Sequence, residues 1–186
     1  MSKIEFKPGN MLYPLPVVLV TSGTEKTNII TIAWCGTTNS NPPMVSISVK
    51  EERYSYHLID LNKEFVINIP DESLAYATDY CGVKSGKDID KFKVLNLHEL
   101  DIEGFKTKGI LEAKVNIACI VSNQIKLGSH TMFIGEVKKV LVNGEYMDQN
   151  NRFCFENIKP ICYSHGKYYN LGQELGKFGF SVKKEK

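Results

Sequence analysis

The chain has 186 residues, 42% hydrophobic and 24% charged, with a formal net charge of +2. That length suits one domain, long enough to bury a barrel core without staples. No apolar run nears the roughly 20 residues that span a bilayer, and the scattered lysines, apart from a tail at 183–186, make no field for nucleic acid.

Pro14 and Pro16 precede Val17-Val18-Leu19-Val20, which reads as an opening strand entered from extended chain and turned around by residues 22–26. Ile30, Ile32 and Trp34 then alternate with Thr31, Ala33 and Cys35, the period of a strand with one apolar and one small face. The polar segment Thr37 to Asn41 reads as a loop, and Pro42-Pro43 resists both helix and central strand. Val45, Ile47 and Val49 alternate with Ser46 and Ser48 as the next strand. It runs into a helix start at Glu51 to Ile59, where Arg53 and the hydroxyls of Tyr54, Ser55 and Tyr56 gather. Free N–H groups at a helix start beside a guanidinium form a seat for a phosphate dianion, and equally an ordinary capped junction.

Phe65, Ile67 and Ile69 form a strand stopped by Pro70, the fourth expected within the first 70 residues. Asp71 is a suitable N-cap for a helix over 72–80, ended by Gly82. Gly82 to Lys87 is not a phosphate-binding P-loop, because the two glycines are too close and Asp88 follows the lysine. Ser85 to Phe92 reads as a loop opening a short helix, with basic groups in reach of a ligand. Two long strands follow, Ile110 to Gln124 and Thr131 to Val142, the second ending at the turn signal Asn143-Gly144. Gly128-Ser129-His130 marks the bend between them, and a last apolar segment reaches Tyr163. The pattern predicts a mainly β fold: an antiparallel, Greek-key-like barrel with peripheral helices, one domain over 1–186.

The five cysteines fit neither a zinc site nor a C-x-x-C pair, and no His cluster or nucleophile elbow is present, so neither a metal nor a hydrolytic triad is assigned. Cys35 and Cys81 are of interest only if a lowered pKa made a thiolate near a ligand, and neither is expected to be catalytic. The polar start, without a signal-like apolar run, predicts a cytoplasmic protein.

The stretch Thr27 to Tyr56 resembles the flavin-reductase-like family of FMN-binding split barrels, its flavoredoxin branch most closely, and the likeness covers nearly the whole chain. The resemblance implies an FMN site. Its phosphate end falls on Ser48, Arg53, Ser55 and Lys91, with Ser46 and Lys87 as weaker members. The ring falls on Asn28, Thr31, Ala33, Trp34, Cys35 and Thr37, largely through backbone groups. His130, in Gly-Ser-His-Thr-Met-Phe-Ile-Gly-Glu-Val, matches a histidine near the ring, where a positive charge would raise the reduction potential. Tyr163 matches an aromatic that covers it. Each has a plainer use: Trp34 and Tyr163 as core aromatics, Asn28 as a turn residue, His130 as a surface group.

The resemblance further implies a homodimer whose partner walls the site, with electrons passing from NADH, NADPH or a protein donor through FMN to an acceptor. Two alternatives stand beside it: an electron carrier without nicotinamide activity, and a flavin-free barrel used as a binding module. No G-x-G-x-x-G fingerprint identifies the donor.

Overall fold

A two-residue link decides the architecture. In the computed structural model, which describes residues 1–182, the strands are β1 (Leu15–Pro16), β2 (Val18–Ser22), β3 (Asn28–Ile32), β4 (Cys35–Ser40), β5 (Pro43–Val49) and β6 (Glu64–Ile69) in the first part of the chain. There follow β7 (Glu99–Leu100), β8 (Gly109–Ile110), β9 (Val115–Lys126), β10 (Thr131–Val142), β11 (Ile161–Ser164) and β12 (Lys167–Asn170). The helices are α1 (Tyr54–Asn62), α2 (Ala75–Val83) and α3 (Lys91–Leu95). The lysine-rich tail at 183–186 lies outside the described residues.

The main sheet is antiparallel in the order β3-β2-β6-β9-β10-β5-β4. Its two edge strands, β3 and β4, are consecutive in sequence and joined only by Ala33 and Trp34. Laid flat, the six gaps between its seven strands would set those edges about 29 Å apart. Three Cα steps across the link reach at most about 11 Å. The sheet therefore curls, and β3 meets β5 at a seam where Ser48 N–H donates to Trp34 O at 2.8 Å.

The concave side is filled by Val20, Ile30, Ile47, Phe65, Cys119 and Phe133, with Ile59 of α1 inserted among them. On the convex side Leu19 and Ile29 pack against Leu74 and against Ala77 and Cys81 of α2 and Phe92 of α3. Both faces of β2 are thus covered, which is why all five of its residues are buried. A buried amide network ties these layers. Asn68 Nδ2 donates to Leu19 O at 2.9 Å, and its Oδ1 accepts from Ile110 N–H at 2.8 Å and Asn116 Nδ2 at 2.7 Å.

The mainly β barrel is as expected, and β10 spans the residues predicted for it. Two local expectations need correction. The segment Thr37 to Asn41 is not a loop: Cys35 to Ser40 form β4, paired with β5 from Cys35↔Ile47 to Ser40↔Pro43, so six strands rather than four lie in the first 70 residues. An edge strand with an open outer face needs no apolar alternation. Nor does Trp34 continue the apolar face of Ile30 and Ile32. The chain bends at Ala33–Trp34, so Cys35 packs on the core while Trp34 is 43% exposed. Two helix boundaries also shift, α1 starting at Tyr54 and α2 running through Gly82 to Val83 after a 3-10 turn at Glu72–Leu74.

Gly135 sits at a register shift in β10, where an added Cβ would lie 2.6 Å from Phe65 Cζ and 2.9 Å from Cys119 Cβ. Gly135→Ala is expected to destabilise the fold by about 1–3 kcal/mol, as overpacking does, lowering the urea midpoint without changing the slope. An unchanged midpoint would mean that the barrel yields here.

Candidate functional site

The seam opens into a cleft of about 270 Å³. Its floor is β3 and the link, Ile30 to Trp34, and its other sides are Ser48, Val49 and Lys50 of β5 and its exit, Arg53, His130 and Tyr163. The strand that closes the barrel thus also presents backbone along one side of the cleft. Thr31 turns its hydroxyl away, donating to Thr78 O of α2, and leaves backbone and small side chains toward the opening.

Trp34 and His130 lie against each other in a tilted pair, ring centroids 4.5 Å apart and planes inclined at 36°. His130 Nδ1 lies 2.9 Å from Ser129 Oγ. Burial, then the nearby Lys50 charge, lower its pKa below the ordinary value, with Glu52 opposing; the net direction favours neutral imidazole at neutral pH. Tyr163 stands elsewhere on the wall, edge-on to Tyr168 at 5.6 Å. Tyr168 Oη donates to Asp79 Oδ1 at 3.2 Å, fastening the β11–β12 ribbon to α2, and burial followed by the Asp79 charge pushes its phenol up to about 12.

A second, smaller hollow adjoins the cleft and shares Ile30 and Arg53 with it. It is walled by Asn28, the start of α1 at Tyr54 and Ser55, the segment Lys84-Ser85-Gly86, and Lys91. Arg53 is the N-cap residue of α1, in extended conformation, and its Nη2 donates to Gly82 O at 2.8 Å. A guanidinium has five N–H donors, so one bond to a carbonyl leaves capacity for a ligand. Asn28 Nδ2 donates to buried Ser55 Oγ at 2.7 Å. Gly86 closes against the same amide: a Cβ there would lie 1.8 Å from Asn28 Oδ1, so any larger residue would force the Asn28 amide out of its place beside Ser55.

Lys91 is buried, its Nζ donating to Ile29 O at 2.6 Å and Cys81 O at 3.0 Å. Burial lowers its pKa to about 8, with Cys81 opposing and Arg53 adding to the effect. Three cations, Arg53, Lys84 and Lys91, line this hollow and no carboxylate does. With the helix start, such a donor set suits a phosphate dianion.

The structure brings Thr31, Ala33, Trp34, Ser48, Arg53, His130 and Tyr163 together in the cleft, and Asn28, Arg53, Ser55 and Lys91 in the smaller hollow. Cys35 and Ser46 line a third hollow on the outer face, while Thr37 and Lys87 line none of the three. Burial pushes the Cys35 thiol up to about 12 and the Cys81 thiol to about 11, Lys91 opposing the latter, so neither is a ready thiolate. Lys50, Lys84 and Gly86 were not picked out as site residues. The contact of Gly86 with Asn28 is tertiary, and no local spacing announces it.

The sequence profile of the flavin reductase like domain matches residues 10–172. An uncharacterised protein of Archaeoglobus fulgidus is 31% identical over 137 residues, 74% of this chain and 77% of that protein. The flavoredoxin of Desulfovibrio vulgaris (Miyazaki F) superposes with a TM-score of 0.90 at 28% identity, over 98% of this chain and all of the other. A flavoredoxin from Methanosarcina acetivorans gives 0.90 at 26% identity over 98% of each chain. The seam cleft and its cation-lined extension therefore lie in a chain that belongs to the flavin reductase-like family, a family with a flavin-related redox role.

Proposed function

We propose that the protein binds FMN as a redox cofactor and passes electrons through it from a reduced nicotinamide or a protein donor to an acceptor. The observation that carries this reading is the continuity of cleft and hollow through Arg53. An elongated ligand with a broad ring and a phosphate terminus matches that shape. The difference in size favours a mononucleotide: about 20 Å³ in the hollow against about 270 Å³ in the cleft suits a terminal phosphate, not a second nucleotide.

When bound, the flavin supplies a ring that accepts and releases electrons. The chain supplies the rest. Arg53, Lys91, Lys84 and the first N–H groups of α1 hold the phosphate, and Asn28 fixes Ser55 beside them. The β3 backbone and Ala33 let the ring approach closely, while Trp34 and Tyr163 flank it. Neutral His130 adds a polar wall without a full charge, and the protonated Cys35 and Cys81 thiols stay inert. A homodimer belongs to this reading, supported by exposed apolar side chains on both terminal arms, Phe6 and Phe178 among them. Sedimentation checks it.

A carrier without nicotinamide activity is the second reading, favoured by the likeness to two flavoredoxins. Anaerobic titration of the FMN-loaded protein with NADH and NADPH separates them. Rapid bleaching of the flavin bands establishes the reductase, and bleaching only by a protein or chemical donor establishes the carrier. Absence of any flavin binding overturns both.

Arg53→Ala is expected to weaken FMN by about ten- to a hundredfold, the worth of a charged hydrogen bond, and to leave riboflavin almost unaffected. Equal loss for both ligands would place the phosphate elsewhere. Affinity should also follow the charge on Lys91. The phosphate becomes a dianion above about pH 6, and the lysine is protonated below about 8. FMN binding is then strongest between these values and falls as pH rises through the upper one, while riboflavin binding stays flat. A flat FMN profile would remove Lys91 from the phosphate site.

A further inference from the structure

The outer face of β4, β5 and β10 carries the third hollow, which the FMN reading above assigns to neither ring nor phosphate. Register sets Gly36 opposite Ser46 and Met132 opposite Ser48, and directly paired residues on antiparallel strands share a face. Three of those four side chains are small, so the surface is dished. Trp34, Met132, Leu12 and Tyr13 on the chain entering β1, and Leu15 of β1 itself raise its rim around about 350 Å³.

The lining includes no Asp, Glu, Lys, Arg or His. A charged occupant would lose its hydration without gaining a counter-charge, so the hollow selects a neutral one. The Ser46 and Ser48 hydroxyls and the Asn10 amide offer donors suited to carbonyl oxygens. Trp34 and Ser48 line both this hollow and the ring cleft, so an occupant would be separated from a ring in the cleft by little more than these side chains. Cys35 also lines the hollow, but its thiol turns to the core on the face of Ile47, where burial holds it protonated, and it does not add to an electrophile.

We propose that this hollow binds a small, uncharged, planar carbonyl compound of the quinone class as the acceptor of electrons leaving the ring cleft. Binding depends only on the hollow; the acceptor role rests on the FMN reading above. The quinone takes two electrons and two protons from the reduced flavin and leaves as the hydroquinone. The oxidised flavin would then be reduced again by the reduced nicotinamide or the protein donor of the reading above.

Trp34 is the only tryptophan in the chain and a wall of both the hollow and the ring cleft, so its fluorescence reports occupancy of either, and variants confined to the hollow tell the two apart. The full chain, flavin-free and FMN-loaded, is titrated with menadione, with free tryptophan amide as the collisional control. A Cβ built on Gly36 meets no atom within 4 Å, so the backbone there accepts a side chain, and Gly36→Leu is chosen to occupy the hollow. Leu15→Asp, a second variant, sets a carboxylate on the rim.

Saturable quenching that each variant weakens by about tenfold or more, with FMN affinity unchanged, supports the proposal. Quenching as linear as the control, or unaffected by both variants, overturns it. A change in sedimentation of Gly36→Leu without loss of quenching also overturns it, assigning the face to a contact between copies. If FMN does not bind, the acceptor role falls with the FMN reading, while quenching of the flavin-free chain still decides the hollow.

Discussion

The two-residue link between β3 and β4 is the constraint on which the rest depends. Antiparallel pairing has to begin at one edge of the sheet and finish at the other within the reach of Ala33 and Trp34, so the sheet curls and leaves a seam rather than an unbroken ladder. Backbone at the seam is spared full cross-strand pairing and lies open to a ligand. The covalent step that closes the barrel thereby also makes the cleft, and it swings Trp34 out of the core to become its wall.

What lies at the end of the seam is set by electrostatics rather than by sheet geometry. The start of α1, the exposed turn before α3 and the buried Lys91 converge there, and no carboxylate lines the hollow to offset them. Burying an ammonium is unfavourable unless its donors are satisfied, and carbonyls from β3 and α2 take two of them. The lowered pKa of Lys91 reflects the remaining penalty. A bound dianion would relieve it, so on the proposed reading phosphate selectivity and pH dependence in the hollow share one cause.

Much of this was legible in the chain because it follows from local pattern. β10 carries its own boundaries in its apolar alternation and in Asn143-Gly144. The short helix α3 is announced by the loop before it, and Arg53 by its position at a helix start. Other parts were hidden for identifiable reasons. Cys-Gly-Thr-Thr-Asn-Ser looks like a loop because one face of β4 is open to solvent. Trp34 continues the period of Ile30 and Ile32 in sequence, and only the bend at the link removes it from that face. The fit of Gly86 to Asn28 joins residues 58 positions apart, so it appears only once α2 has packed on β3. The sorting of Ser46 from Ser48 likewise needs the β4–β5 register and the path of the chain before β1.

The central claim is that seam and hollow hold the two ends of one molecule, and a crystal structure of the protein soaked with FMN tests it most directly. The account predicts density for the ring along β3 between Trp34 and Tyr163, and for the phosphate within hydrogen-bond distance of Arg53 and the first turn of α1. A phosphate outside that hollow, or a ring bound away from the seam, would contradict it.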